Sequence, residues 1–267
     1  MADALIVFAK TPRPGRVKTR LSPVLTPDES ARLYRAFLQD ALVQYSRLSP
    51  DVRLYLADAV DRPKHRIWGD GPVEAWPGDP YVQQGSGLGE RMQQAVTETL
   101  ADGYDAACIV GTDHPTLPSD LLMQGFDALN GDAALCVGPS ADGGFYLIGM
   151  TRPTPSLFRG MEYSHPDVFA ETRRRMEETG AAHAVLPPWY DVDTPAALRR
   201  LMKDLDEEDL DEEDLDEEDL DEESDGEDLN EGSTEPTEEW SRARHTRRAL
   251  ARMNLYERLS TASNRDE

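Results

Sequence analysis

The sequence predicts an α/β fold: an open, mostly parallel sheet flanked by helices on both faces, with a disordered acidic segment and a basic C-terminal tail behind it. Three observations carry this. Short apolar runs alternate with amphipathic ones up to about residue 203. Those runs are apolar throughout rather than at every second residue, as in strands buried on both faces. The charge is also segregated: of the net −24, residues 204–239 hold 23 acids and no Lys or Arg, while residues 240–267 hold seven Arg and three acids. The remainder is only mildly acidic, so the acidity belongs to a segment and not to the folded part.

In chain order, the strand candidates are Ala4–Ala9, Val52–Ala57, Ala106–Gly111, Ala133–Val137 and Phe145–Gly149. Helix candidates fall around and between them. "TPDESARLYRAFLQDALVQYSRL" opens on Thr26, Pro27 and Glu29, a capping box with proline at the first helical position. "GERMQQAVTETLADG" stops at Gly103 and "SHPDVFAETRRRMEETG" at Gly180, both suited to the left-handed residue after a helix. "LPSDLLMQGFDAL" lies between those two, and "DTPAALRRLMKDL" closes the series with Asp193 or Thr194 as cap. Ligands of such sheets bind beyond the carboxyl ends of the strands. Domain limits follow at 1–203, 204–239 and 240–267.

From Leu205 the chain repeats "LDEED". Five residues turn a helix by about 500°, so successive leucines are offset by roughly 140° and build no stripe. With like charges this dense, the expectation is disorder. The tail "EEWSRARHTRRALARMNLYERL" offers Trp240, Ala243, Leu250, Met253 and Leu259 as an imperfect apolar face. It is either a weakly helical tail or a basic arm that contacts the acidic run or a partner. Cys108 and Cys136 each sit inside an apolar run, which predicts buried strand thiols rather than a disulfide or a metal pair. No apolar run approaches the roughly 20 residues of a membrane span, and the N-terminus lacks a signal-peptide pattern, so the expected location is cytoplasmic. A nucleic-acid partner is disfavoured, because the acidic segment repels phosphate backbones.

Five stretches bear on chemistry. "FAKTPRPGRVKTRL" follows the first strand and carries Lys10, Arg13, Arg16, Lys18 and Arg20, with Pro14 and Gly15 shaping a tight path. It is not a Walker A loop: the first glycine is missing, and Val17 replaces the second. Its place at the carboxyl edge still suits phosphate binding; the plain alternative is a solvated basic turn. "VGTDHPTLP" puts Asp113 at a strand end, where a hard carboxylate suits Mg²⁺ or Mn²⁺; the alternative is a turn cap. His114 beside it is expected as a polar edge residue. "ADGGF" is either a hairpin turn or a place where substrate approaches the backbone, with Asp142 near its hydroxyls. In "YDVDTP", Asp191 and Asp193 share a face if extended, and either, paired with Asp113, could complete a metal site; Asp193 alone reads rather as an ordinary helix cap. "GSGLGERM" sets Gly87 and Gly89 at a helix N-terminus, which favours anions but is a weak pattern.

Taken together and in this order, "VFAKTPRPGRVKTRL", "GLGERM", "VGTDHPTLP", "DGGFYLIGM" and "YDVDTPAAL" resemble the DUF2064 family of glycosyltransferase-A-like (GT-A-like) proteins, in the nucleotide-diphospho-sugar transferase superfamily. Some of its members are glycosyltransferases associated with radical-SAM enzymes. The opening stretch also resembles 2-phospho-L-lactate guanylyltransferases, which share the fold. The resemblance spans about Leu5 to Leu201. It implies phosphate contacts from Lys10, Lys18 and Arg20 and a divalent cation, Mg²⁺ or Mn²⁺, on Asp113. Two positions depart from the family pattern: Gly87 stands where an Asp is usual, and Tyr163-Ser164 where Trp-Ser is common. Both bear on the acceptor side.

The expectation is therefore a metal-dependent glycosyltransferase that takes a nucleotide sugar and a small-molecule acceptor; a nucleotidyltransferase that releases pyrophosphate is the alternative. The candidate nucleotide-binding residues are Lys10, Pro14, Gly15, Lys18, Arg20, Gly87 and Gly89. Asp113 and Asp191 are the candidate metal ligands, and Asp142 and Asp193 the candidate catalytic carboxylates.

Overall fold

The structure is a computed structural model that describes residues 2–58, 79–218 and 243–263. Among them lie seven strands, β1 (Asp3–Ala9), β2 (Asp51–Leu56), β3 (Tyr81–Val82), β4 (Ala106–Val110), β5 (Leu135–Pro139), β6 (Phe145–Met150) and β7 (His183–Val185). The helices are α1 (Pro27–Tyr45), α2 (Leu88–Ala101), α3 (Ser119–Asn130), α4 (Val168–Glu178), α5 (Pro195–Glu218), α6 (Arg244–Arg252) and α7 (Leu255–Ser263).

The strands form one sheet in the order β3-β2-β1-β4-β6-β5-β7. β6 runs antiparallel to both its neighbours, and the other pairings are parallel. The mostly parallel GT-A-like sheet is thus present, with its one reversal made by the tight turn between β5 and β6. All five predicted strands occur. The two missed ones, β3 and β7, are edge strands of two and three residues, too short for periodicity to register.

Helices cover both faces, because successive residues of a strand point to opposite sides. On β1, Leu5 and Val7 join the core under α1 and α3, while Ile6 faces the core under α2. Cys108 and Cys136 are buried free thiols, as expected. They flank Gly149 of β6, where a Cβ would lie 2.5 Å and 2.7 Å from the two sulfurs, so only glycine fits there. The predicted capping box closes the start of α1: Glu29 N–H donates to Thr26 Oγ1 (3.3 Å), and Thr26 N–H to Glu29 Oε2 (2.8 Å).

The boundary expected at residue 204 falls inside α5, which continues to Glu218. Leu198, Leu201, Met202 and Leu205 repeat at helical spacing, so the first leucine of the acidic repeat extends the buried stripe of the helix before it. The rest of the expected acidic segment, 219–239, lies outside the described residues, as does Trp240.

The C-terminal stretch is not a loose tail. α6 and α7 pack on α1, the loop before it and α5, and bury Ala243, Leu250, Met253, Leu255 and Leu259 in a third core. Ala243 has no side chain with which to cap α6. Asp40 of α1 does so instead, accepting from His245 N–H (2.8 Å), Thr246 N–H (2.8 Å) and Thr246 Oγ1 (2.6 Å). No helix among the described residues is long and apolar enough to cross a membrane.

Candidate active site

The loop between β1 and α1 opens at the carboxyl end of β1. Lys10 N–H donates to Tyr34 Oη (2.8 Å), which also accepts from Thr112 Oγ1 (3.0 Å); this buried phenol ties the loop to the end of β4. Gly15 takes φ +72° with no atom near its missing Cβ, which makes it a turn glycine. Val17 is buried against Ala31 and Tyr34, so it anchors the loop on α1 where a P-loop would carry glycine.

Lys18 follows in the left-handed region (φ 48°, ψ 37°), a conformation that costs a non-glycine residue about 1 kcal/mol. That backbone turns its side chain inward, where it is only 2% exposed. Its ammonium lies 2.7 Å from Asp113 Oδ1, 2.8 Å from Asp193 Oδ1 and 5.3 Å from the centre of the Phe37 ring. Burial alone would lower the Lys18 pKa, but the two carboxylates outweigh it and the pKa is raised. Burial likewise opposes ionisation of Asp113, yet Lys18 holds its pKa below the usual value. Lys18 and Asp113 thus form a charged pair.

Each carboxylate arrives from a different segment. Asp113 follows β4, and its carbonyl accepts from Val192 N–H (2.9 Å), which pins the stretch before α5 against it. Asp193 lies one residue beyond Val192. It does not cap α5; Thr194 does, accepting from Ala197 N–H (3.2 Å), which leaves Asp193 for Lys18. Asp191 points elsewhere and accepts from Ser140 Oγ (3.0 Å); burial, then Asp142 and Asp193, raise its pKa. Asp142 Oδ1 accepts from Gly144 N–H (2.8 Å) across the β5–β6 turn. His114 is buried, with Nδ1 donating to the Tyr190 carbonyl (3.0 Å), which makes it a structural residue.

A cavity of about 670 Å³ opens at the carboxyl edge of the sheet. Of the candidates, Lys10, Lys18, Arg20, Asp113, Asp142 and Asp193 line it. Pro14, Gly15, Gly87, Gly89 and Asp191 are not among its walls. Gly89 is a packing glycine, since a Cβ there would come within 2.8 Å of the Phe158 carbonyl. Gly143 also serves packing: a Cβ would sit 1.9 Å from the Pro166 carbonyl oxygen, so what approaches that backbone is the chain's own 163–167 loop. That loop brings Ser164 (φ +71°) and His165 to the cavity. Sequence reasoning noted Ser164 only within the Tyr-Ser pair on the acceptor side, and missed His165, Gln83 and Arg91. Arg91 carried a usable signal, a cation one turn into a helix that follows a glycine loop.

Among the described residues, no three His, Cys, Asp or Glu side chains cluster as metal ligands. Asp113 and Asp193 nevertheless share a single ammonium, which leaves one net negative charge. Asp113 Oδ1 meets the Lys18 ammonium at 2.7 Å and has no other donor among the described residues. The two side chains are 39% and 33% exposed. Two hard carboxylates with open faces fit a cation that completes its shell with substrate oxygens and water.

A family profile described as an uncharacterized protein conserved in bacteria (DUF2064) matches residues 47–165. A 2-phospho-L-lactate guanylyltransferase from Halorubrum lacusprofundi is 30% identical over 204 residues, 74% of this chain and 83% of that protein. The chain belongs to the DUF2064 family. A solved structure from Desulfovibrio desulfuricans G20, provisionally named a nucleotide-diphospho-sugar transferase, superposes with a TM-score of 0.65 at 34% identity, over 73% of this chain and 84% of that one. Both relatives carry transferase names, and this DUF2064 protein is an enzyme of that broad kind.

Proposed function

We propose that the chain is a nucleotidyltransferase: it binds a nucleoside triphosphate at the β1–α1 loop and passes the nucleotide to an anionic oxygen of a small acceptor. The observation that carries this is the charge layout of the cavity. Lys10, Arg16 and Arg20 line it without a salt bridge among the described residues, facing carboxylates that Lys18 partly neutralises. A triphosphate brings about twice the charge of a sugar-linked diphosphate, so three open cations on one loop match it better. The name of the Halorubrum relative supports the same choice.

In the reaction, the acceptor oxygen forms a bond to the α-phosphorus. The bond from that phosphorus to the bridging oxygen breaks, and pyrophosphate leaves with the electron pair. Lys10, Arg16 and Arg20 hold the β- and γ-phosphates and stabilise the charge that gathers on them. Lys18 keeps Asp113 ionised and holds the carboxylates of Asp113 and Asp193 in place. A divalent cation on those two carboxylates would supply further charge compensation at the departing phosphates.

A second reading, transfer of a sugar with departure of a nucleoside diphosphate, draws support from the name of the Desulfovibrio neighbour. The two differ in product. Incubation with the common nucleoside triphosphates, Mg²⁺ and a panel of phosphorylated small acceptors should release pyrophosphate only when an acceptor is present. Nucleoside diphosphate release from nucleotide sugars, with no pyrophosphate from triphosphates, would replace nucleotidyl transfer by sugar transfer.

A further inference from the structure

The C-terminal helix pair reaches the candidate phosphate loop through one side chain. Arg258 of α7 donates from Nη2 to the Val24 carbonyl (3.1 Å) and from Nη1 to Glu29 Oε1 (2.6 Å) and the Met253 carbonyl (3.1 Å). One guanidinium therefore joins the end of the loop, the first turn of α1 and the end of α6. Glu29 is the capping-box residue, and its other oxygen, Oε2, is bonded to Thr26. Lysine cannot reproduce this, because a single ammonium lacks the planar fork that reaches separated acceptors.

Overlapping backbone turns run from that anchor to the site. Val24 and Leu25 N–H donate to the Leu21 carbonyl (2.9 and 2.8 Å), Ser22 N–H to Thr19 (3.2 Å), and Leu21 N–H to Lys18 (3.0 Å). Leu21 and Leu25 are buried in the same core as Leu250, Leu255 and Leu259 of the helix pair. At the far end stands Lys18, in a left-handed conformation that persists only where its surroundings impose it.

We infer that Arg258 is a positioning residue for the phosphate loop: α6 and α7 form a strap whose arginine clamps Val24 and Glu29, and so holds the Lys18–Leu25 turns in their anion-binding geometry. None of the strap's described residues lines the cavity, and it acts only through the loop. The anion-binding part of this assignment rests on the nucleotide reading above; the ordering of the loop does not.

The test uses the full chain and two probes, amide hydrogen exchange over residues 16–26 and calorimetric binding of pyrophosphate and of GTP with Mg²⁺. Arg258→Ala should speed exchange in that stretch about ten-fold and weaken binding of both anions about five-fold, as expected for loss of two or three hydrogen bonds. Arg258→Lys, which keeps the charge and protects against loss of folding, should recover only part of each effect. Arg248→Ala, which removes an exposed arginine of α6, should change neither. Unchanged exchange in both Arg258 variants overturns the clamp. Faster exchange with unchanged anion affinity overturns the positioning role. If the wild type binds neither probe, the nucleotide reading falls with the anion-binding role, and the exchange arm alone decides the clamp.

Discussion

The two walls of the cavity are built in opposite ways. The basic wall comes largely from one continuous stretch, with Lys10, Arg16, Lys18 and Arg20 within eleven residues of one another. The acidic wall has no such continuity: Asp113 follows β4, Asp142 sits in the β5–β6 turn, and Asp193 precedes α5. Lys18 crosses from the first wall to the second. It was expected on a phosphate; it lies buried between two carboxylates, while Lys10, Arg16 and Arg20 line the cavity without a salt bridge among the described residues. One loop can supply charge, whereas an ordered acid cluster requires the whole sheet edge.

Three substitutions would break or sharpen that contrast. The largest effect is expected at Asp113. Asp113→Asn should lower turnover about 1,000-fold and abolish Mg²⁺-dependent GTP binding by calorimetry, with little change in melting temperature. Retained metal-dependent binding would remove Asp113 from the site. Lys18→Met should act on the fold instead, leaving two carboxylates facing each other without a cation. The expected loss is about 3 kcal/mol in urea unfolding, near the low end for a buried pair because both acids keep an exposed face. A loss below about 1 kcal/mol would mean that the bridge between the walls is marginal. Arg20→Ala should have the smallest effect: about a ten-fold weaker affinity for GTP, no change in melting temperature, and a gap from wild type that narrows as salt rises. A gap independent of salt would point to shape rather than charge.

How much of this was legible in the sequence follows from the same contrast. Five strands and the capping box of α1 are local patterns, and both occur as read; the basic loop is local too, and it lies at the carboxyl end of β1. β3 and β7 were illegible, because two or three residues at a sheet edge carry no period. Asp193 was misjudged for a local reason. Asp-Thr-Pro is an ordinary helix start, and only the Val192–Asp113 backbone bond turns Asp193 toward Lys18 and hands the cap to Thr194. Gly143 suggested substrate approach, but its close neighbour is Pro166, twenty-three residues on. The C-terminal stretch read as a tail, since the partners of His245, Thr246 and Arg258 are Asp40 and Glu29, more than two hundred residues away.

The sequence by itself determined the alternation of strands and helices, the cationic loop after β1 and the exclusion of a Walker A site, because each depends on residues within one turn or one strand of each other. Only the tertiary structure decided that Asp193 rather than Asp191 joins Asp113, that Lys18 is an internal counter-ion, and that α6 and α7 are part of the folded domain. Those choices rest on Coulomb and hydrogen-bond contacts between segments remote along the chain. Their energies depend on distances and burial that only the closed sheet and its packed helices establish.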